Sequence, residues 1–124
     1  LYGFGRTLLV KGEYAEASAR FQEALEAGAP PIVEFDLGEA LFRQGAADAA
    51  RPYLERVQQG AHEPFRLLMA HYLLYCMGAG EPPTPALLHD GLPYWRENAR
   101  RFQHTPYGQT LALDVTAMQK LLEA

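Results

Sequence analysis

Four histidines, one cysteine and a set of glutamates are the residues with reactive chemistry to offer, and their spacing decides what they could do. His62, His71, His89 and His104 do not show the i, i+4 pairing that turns two imidazoles toward one metal ion. His71 and Cys76 stand five positions apart, which on one helix does not bring them together, so a buried structural role is expected for His71. His89 and Asp90 read as a solvent-facing pair at a helix end. Glu13, Glu16 and Glu23 have the chemistry for proton transfer, yet they sit on an alanine-rich amphipathic stretch and read as its solvated face. No phosphate-cradling glycine loop, serine nucleophile elbow or cysteine–histidine pairing occurs. The pattern argues against catalysis and calls for neither metal nor cofactor.

Composition narrows the classes further. The 124 residues are 48% hydrophobic and 21% charged, an ordinary globular balance that can bury a core as one domain. A net charge of −4 gives no reason to expect nucleic acid, since a phosphate-tracking surface needs clustered cations; Arg96, Arg100 and Arg101 read as a solvated helix face. The lone Cys76 leaves no internal disulfide. The longest apolar run, Leu67 to Met77, is about half of the roughly 20 residues that span a bilayer, so it reads as a buried helix and no membrane is expected. The chain opens at Leu1 without an initiator methionine, and it is expected to be an excerpt of a longer protein; the compartment stays open.

The elements follow from three glycines, Gly12, Gly45 and Gly78, spaced 33 residues apart and each closing an apolar segment. Leu1, Phe4, Gly5, Leu8 and Leu9 recur at helical spacing up to about Lys11. A second helix runs from Tyr14 to Ala27, and Gly28, Pro30 and Pro31 end it. The next unit replays this: Leu37, Gly38, Leu41 and Phe42 answer Phe4, Gly5, Leu8 and Leu9, while Ala50 and Leu54 answer Ala17 and Phe21. Pro52 is expected near the first turn of a helix starting at Ala47 or Asp48, with a mild bend. Pro64 to Met77 makes a third first helix. After a proline-rich connector, Thr84-Pro85 starts a short helix that stops at Gly91, Pro93 opens another to about Gln103, and Thr105-Pro106 begins a last one.

The run Phe4-Gly5, Leu8, Gly12, Tyr14, Ala17, Phe21 and Ala24 with Pro30 after it resembles a tetratricopeptide repeat, and Leu37-Gly38, Leu41, Gly45, Ala50 and Leu54 resemble a second. Leu1 and Glu34 depart from it where the family usually has a bulky aromatic, and the unit is one residue short. The resemblance implies an all-α fold of antiparallel helical hairpins stacked as a short right-handed solenoid. Residues 1–80 are then repeats (1–30, 31–63 and a partial 64–80), and 81–124 a C-terminal helical cap packed on them.

The resemblance also implies a use, because the first helices of such repeats line a concave groove that takes a peptide or helix of another protein. By position the groove residues are Tyr2, Arg6, Phe35, Glu39, Phe42, Arg43, Met69 and Tyr72, with Leu9, Leu68 and Tyr75 beside them. The surface is aromatic with few charges, and Arg6 and Arg43 alone do not make a carboxylate clamp. The competing reading is that several of these side chains are core, covered by the C-terminal helices. Two other readings stay open: stacking on a further copy or on the rest of a longer chain, through Leu1, Phe4 and Leu8 or through the C-terminal helix, and an accessory domain of an enzyme whose catalytic part lies elsewhere.

Overall fold

The structure, a computed structural model, describes residues 2–124. Over the described residues it is all-α, with seven helices: α1 (Tyr2–Val10), α2 (Tyr14–Glu26), α3 (Ile32–Arg43), α4 (Ala47–Gln59), α5 (Pro64–Cys76), α6 (Pro85–Arg101) and α7 (Pro106–Glu123). No strand occurs among the described residues. Leu1, expected to open the first apolar stripe, lies outside them.

The glycine period is a period of helix ends. Leu8 O accepts from Glu13 N at 2.9 Å, Leu41 O from Ala46 N at 2.9 Å and Leu74 O from Ala79 N at 2.8 Å. Each of these bonds closes over a glycine of positive φ: Gly12 at +83°, Gly45 at +93° and Gly78 at +75°. Only glycine reaches that conformation without a steric penalty, so these positions stop a helix and reverse the chain in the same way.

Inside the hairpins a second glycine period sets how closely helices approach. A Cβ on Gly5 would lie 2.7 Å from the Phe21 ring, and one on Gly38 would lie 2.9 Å from Leu54 Cδ2. The small residue of each first helix therefore receives the large residue of each second helix, and both Phe21 and Leu54 are fully buried. Burying a side chain of that size contributes roughly 1.5–3 kcal/mol, so this one contact per hairpin does much to hold the unit together. From α1 to α7 each helix packs on its neighbour in the chain, and α3 also reaches α5.

The C-terminal half departs from the expected division. The sequence predicts a stop at Gly91 and a new start at Pro93, but α6 runs unbroken through both. A Cβ on Gly91 would lie 2.7 Å from Leu68 Cβ, so this glycine serves close packing of α6 on α5 rather than a turn. Pro93 is on the exposed side of α6, and the His89 carbonyl it leaves without an intrahelical partner belongs to another exposed residue, within reach of water. Pro52 is tolerated in α4 in the same way, opposite exposed Asp48. The stripe Leu88, Leu92 and Trp95 stays buried across the proline. Thr84 and Thr105 cap α6 and α7 as their Thr-Pro pairs predict, accepting from Leu87 N at 3.2 Å and Gly108 N at 3.1 Å.

Helix α7 pairs with α6 and also returns to α1, where a Cβ on Gly12 would lie 2.8 Å from Pro106. Its Tyr107, Leu111 and Met118 are buried at spacings of four and seven. This return brings the end of the chain over the first helices of the repeats.

Candidate functional site

The eight predicted groove residues divide into two groups. Glu39 is fully buried, and its Oε2 accepts from Arg43 Nε at 3.0 Å, from Arg43 Nη2 at 2.9 Å and from the Tyr107 hydroxyl at 2.7 Å. Arg43, its side chain 3% exposed, also donates through Nη1 to Asp114 Oδ2 at 2.9 Å, and its Nη2 lies 4.0 Å from Met69 Sδ. Phe35, Met69 and Tyr72 are buried as well. These five residues are enclosed rather than open to a ligand, because α7 lays an aromatic hydroxyl and a carboxylate on the Glu39–Arg43 pair. Burial raises the Tyr107 and Asp114 pKa values, Asp114 against the pull of Arg43. A desolvated ion pair of this kind leans on further donors and acceptors; Tyr107 and Asp114 supply two of them, while Glu39 Oε1 stays without a hydrogen-bond partner.

Tyr2, Arg6 and Phe42 form the other group. Phe42 is half-buried, Tyr2 is 40% exposed, and Arg6 is partly open. Arg6 donates through Nη1 to Asp36 Oδ1 at 3.1 Å. Asp36 is buried, and its Oδ2 has no hydrogen-bond partner. Burial pushes its pKa up to about 6 against the opposing charge of Arg6.

Arg6 lines two cavities. The first, of about 70 Å³, lies between Tyr2 and Arg6 of α1, Phe35 and Asp36 of α3, Phe65 and Arg66 of α5, and Tyr94 and Trp95 of α6. Its aromatic wall is fixed from within: Phe65 and Tyr94 stack at 3.6 Å between ring centres, Trp95 meets Phe65 edge-on at 5.9 Å, and Trp95 Nε1 donates to the Phe65 carbonyl at 2.8 Å. Arg66 lies 4.5 Å over the Phe65 ring and is paired with Glu63. The second cavity, of about 360 Å³, is lined by Arg6, Thr7, Val10, Lys11 and Phe102 and is mainly apolar. Tyr2, Arg6 and Val10 stand at i, i+4 and i+8, so one face of α1 forms the wall of both. The result is a cleft between α1 and α6, with Tyr2 and Tyr94 at one end and Val10, Lys11 and Phe102 at the other.

Sequence reasoning missed Asp36, Phe65, Tyr94, Phe102, Tyr107 and Asp114. One signal was available for Asp36, an acid standing between Phe35 and Leu37 in an apolar stretch. Tyr94 and Phe102 gave none, since a helix break assumed at Gly91 to Pro93 leaves the direction of the following segment open.

With this geometry in place, the comparisons with known proteins bear on the architecture. The family model described as "Tetratricopeptide repeat" matches residues 2–64, the stretch from α1 to the first residue of α5 in which Gly5 meets Phe21 and Gly38 meets Leu54. No curated protein and no solved structure matches the chain. Two successive hairpins of the same build, under a model that covers half of the chain, establish that the protein belongs to the tetratricopeptide repeat family.

Proposed function

We propose that this protein binds a short segment of another protein in the cleft between α1 and α6. Tetratricopeptide repeats mediate protein–protein interaction, and the family is typically one of non-catalytic modules. The observation that carries the assignment to this cleft is the position of Arg6, a partly exposed cation that lines both cavities while α7 covers the neighbouring part of the inner face. Tyr2, Arg6, Val10, Tyr94 and Phe102 are then the contact residues. Phe35, Glu39, Arg43, Met69 and Tyr72 support them from below, and Phe42 borders the enclosed part.

Titrating the isotopically labelled protein with partner-derived peptides, read by amide chemical shifts, tests the assignment. Shifts should cluster on α1 and on α6 between Tyr94 and Phe102, and Phe102→Ala should weaken binding. Shifts confined to α2 and α4 would place the partner on the opposite face.

A second reading is stacking through the outer side of α1, which Phe4 favours by being 52% exposed. Leu8, expected on that side, is buried instead. Sedimentation over a range of concentrations separates the two, because self-association through Phe4 should vanish in Phe4→Glu while the cleft remains intact.

A further inference from the structure

The chemistry of the bound segment follows from the lining of the second cavity, on the reading that the partner lies in the α1–α6 cleft. That cavity, of about 360 Å³, has Val10 at the end of α1 and Phe102 just past the end of α6 as its apolar walls. Nothing in it asks for a donor, because the Thr7 hydroxyl already donates to the Gly3 carbonyl at 3.1 Å and no carboxylate among the described residues lines it. Its charges are all positive. Arg6 is matched by Asp36, but Lys11 is exposed and has no ion-pair partner among the described residues. Arg101, the last residue of α6, is exposed as well; its guanidinium lies 5.3 Å over the Phe102 ring, and it too has no ion-pair partner among the described residues. The chain as a whole carries a net charge of −4, so an apolar pocket edged only by cations runs against the sign of the molecule.

We propose that the cleft recognises an acidic segment of a partner protein, with an aliphatic side chain entering between Val10 and Phe102 and side-chain carboxylates to either side of it meeting Lys11 and Arg101. Each cation is the chain neighbour of an apolar wall residue, Lys11 of Val10 and Arg101 of Phe102, so charge stands beside the wall on both helices. An extended chain carries side chains i−2, i and i+2 on one side, roughly 6.6 Å apart, and a Glu-x-Leu-x-Glu pattern therefore presents its leucine with an acid to each side. Burial of the leucine supplies most of the affinity. The exposed ion pairs contribute less and set the choice of partner, since a basic segment with the same leucine meets like charge. The carboxylates belong to side chains within the segment, so no chain terminus is required.

The test compares fluorescent peptides with the cores Glu-Ala-Leu-Ala-Glu, Gln-Ala-Leu-Ala-Gln, Lys-Ala-Leu-Ala-Lys and Glu-Ala-Ser-Ala-Glu on the unmodified protein by anisotropy, each flanked by glycines and blocked at both ends. The Glu-Leu peptide should bind best, about fivefold tighter than its glutamine counterpart at low salt, and the lysine peptide should bind more weakly than either. Serine in place of leucine should weaken binding at least tenfold. Raising the salt to about 1 M should close the gap between glutamate and glutamine. Lys11→Gln together with Arg101→Gln, two exposed positions, should bring the glutamate-to-glutamine ratio to about one. Equal binding of the glutamate and glutamine peptides, or tighter binding of the lysine peptide, overturns the acidic assignment and leaves the cleft standing as a binding site. Equal binding of the serine and leucine peptides overturns the seating between Val10 and Phe102. Absence of binding by every peptide overturns the cleft itself and this proposal with it. Because the peptides carry the main comparison, the outcome does not depend on the folding of any variant.

Discussion

The hydroxyl of Tyr107 donates to Glu39 Oε2 across 2.7 Å, joining residues 68 positions apart in a site neither side reaches from solvent. Tyr107→Phe removes that donor and changes little else in the shape of the ring. A hydrogen bond to a charged group is worth about 1.5–3 kcal/mol, and loss of that size is expected in urea unfolding at neutral pH. An unchanged midpoint would mean that water replaces the phenol.

Arg43 should be far more sensitive than any surface cation. Arg43→Met strands Glu39 and Asp114 in the interior, at an expected cost of about 3–5 kcal/mol. Arg51, which pairs with Glu55 in the open, should cost about 0–1 kcal/mol on replacement by alanine. Denaturation midpoints of the two variants measured side by side test the contrast, and similar losses would refute it.

Asp36 should make the fold less stable as pH rises. Its carboxyl has a pKa of about 6 in the folded chain, above the 3.8 of an ordinary aspartate, so the folded state holds the proton more tightly. The resulting stabilisation is complete below about pH 4 and is lost as pH climbs through 6, and Asp114 acts in the same direction. Asparagine mimics the protonated form at every pH. Asp36→Asn should therefore gain on the parent between pH 4 and pH 7.5, by up to about 3 kcal/mol. Parallel pH profiles for the two proteins would contradict this.

The glycines of α1 should respond in opposite senses. Gly5→Ala drives a methyl group against Phe21 and is expected to cost about 1–3 kcal/mol, part of which Phe21→Leu in the same chain should return. Gly3 has open space around it, so Gly3→Ala should be neutral or stabilising by up to about 1 kcal/mol. Thermal melts of the three variants decide the matter.

These contrasts show how far a sequence carries. Gly5 with Phe21 and Gly38 with Leu54 were legible because a repeat writes the same small and large residues twice, at a spacing that only paired helices explain. The all-α fold and the hairpin boundaries followed from them. Gly91 misled because a glycine that stops a helix and a glycine that admits a neighbouring helix look alike until Leu68 is seen beside it. Glu39 and Arg43 lie on α3, the first helix of the second hairpin, but whether their side is open depends on where α7 lands. No periodicity within α7 encodes that, because its apolar stripe is satisfied by any apolar surface of similar width.

The ties that α7 makes to Glu39 and Arg43 span 68 and 71 residues, whereas the contacts that build each hairpin are local. Local contacts form early at small entropic cost, and long loops close late. The hairpins are therefore expected to zip together first and the last helix to dock afterwards, as the final event of assembly and the first to reverse. Amides of α7 should accordingly exchange with solvent sooner than those of α3 beneath it. The molecule has a clasp that opens before the rest gives way, and the time the clasp stays shut sets how long the inner face is hidden.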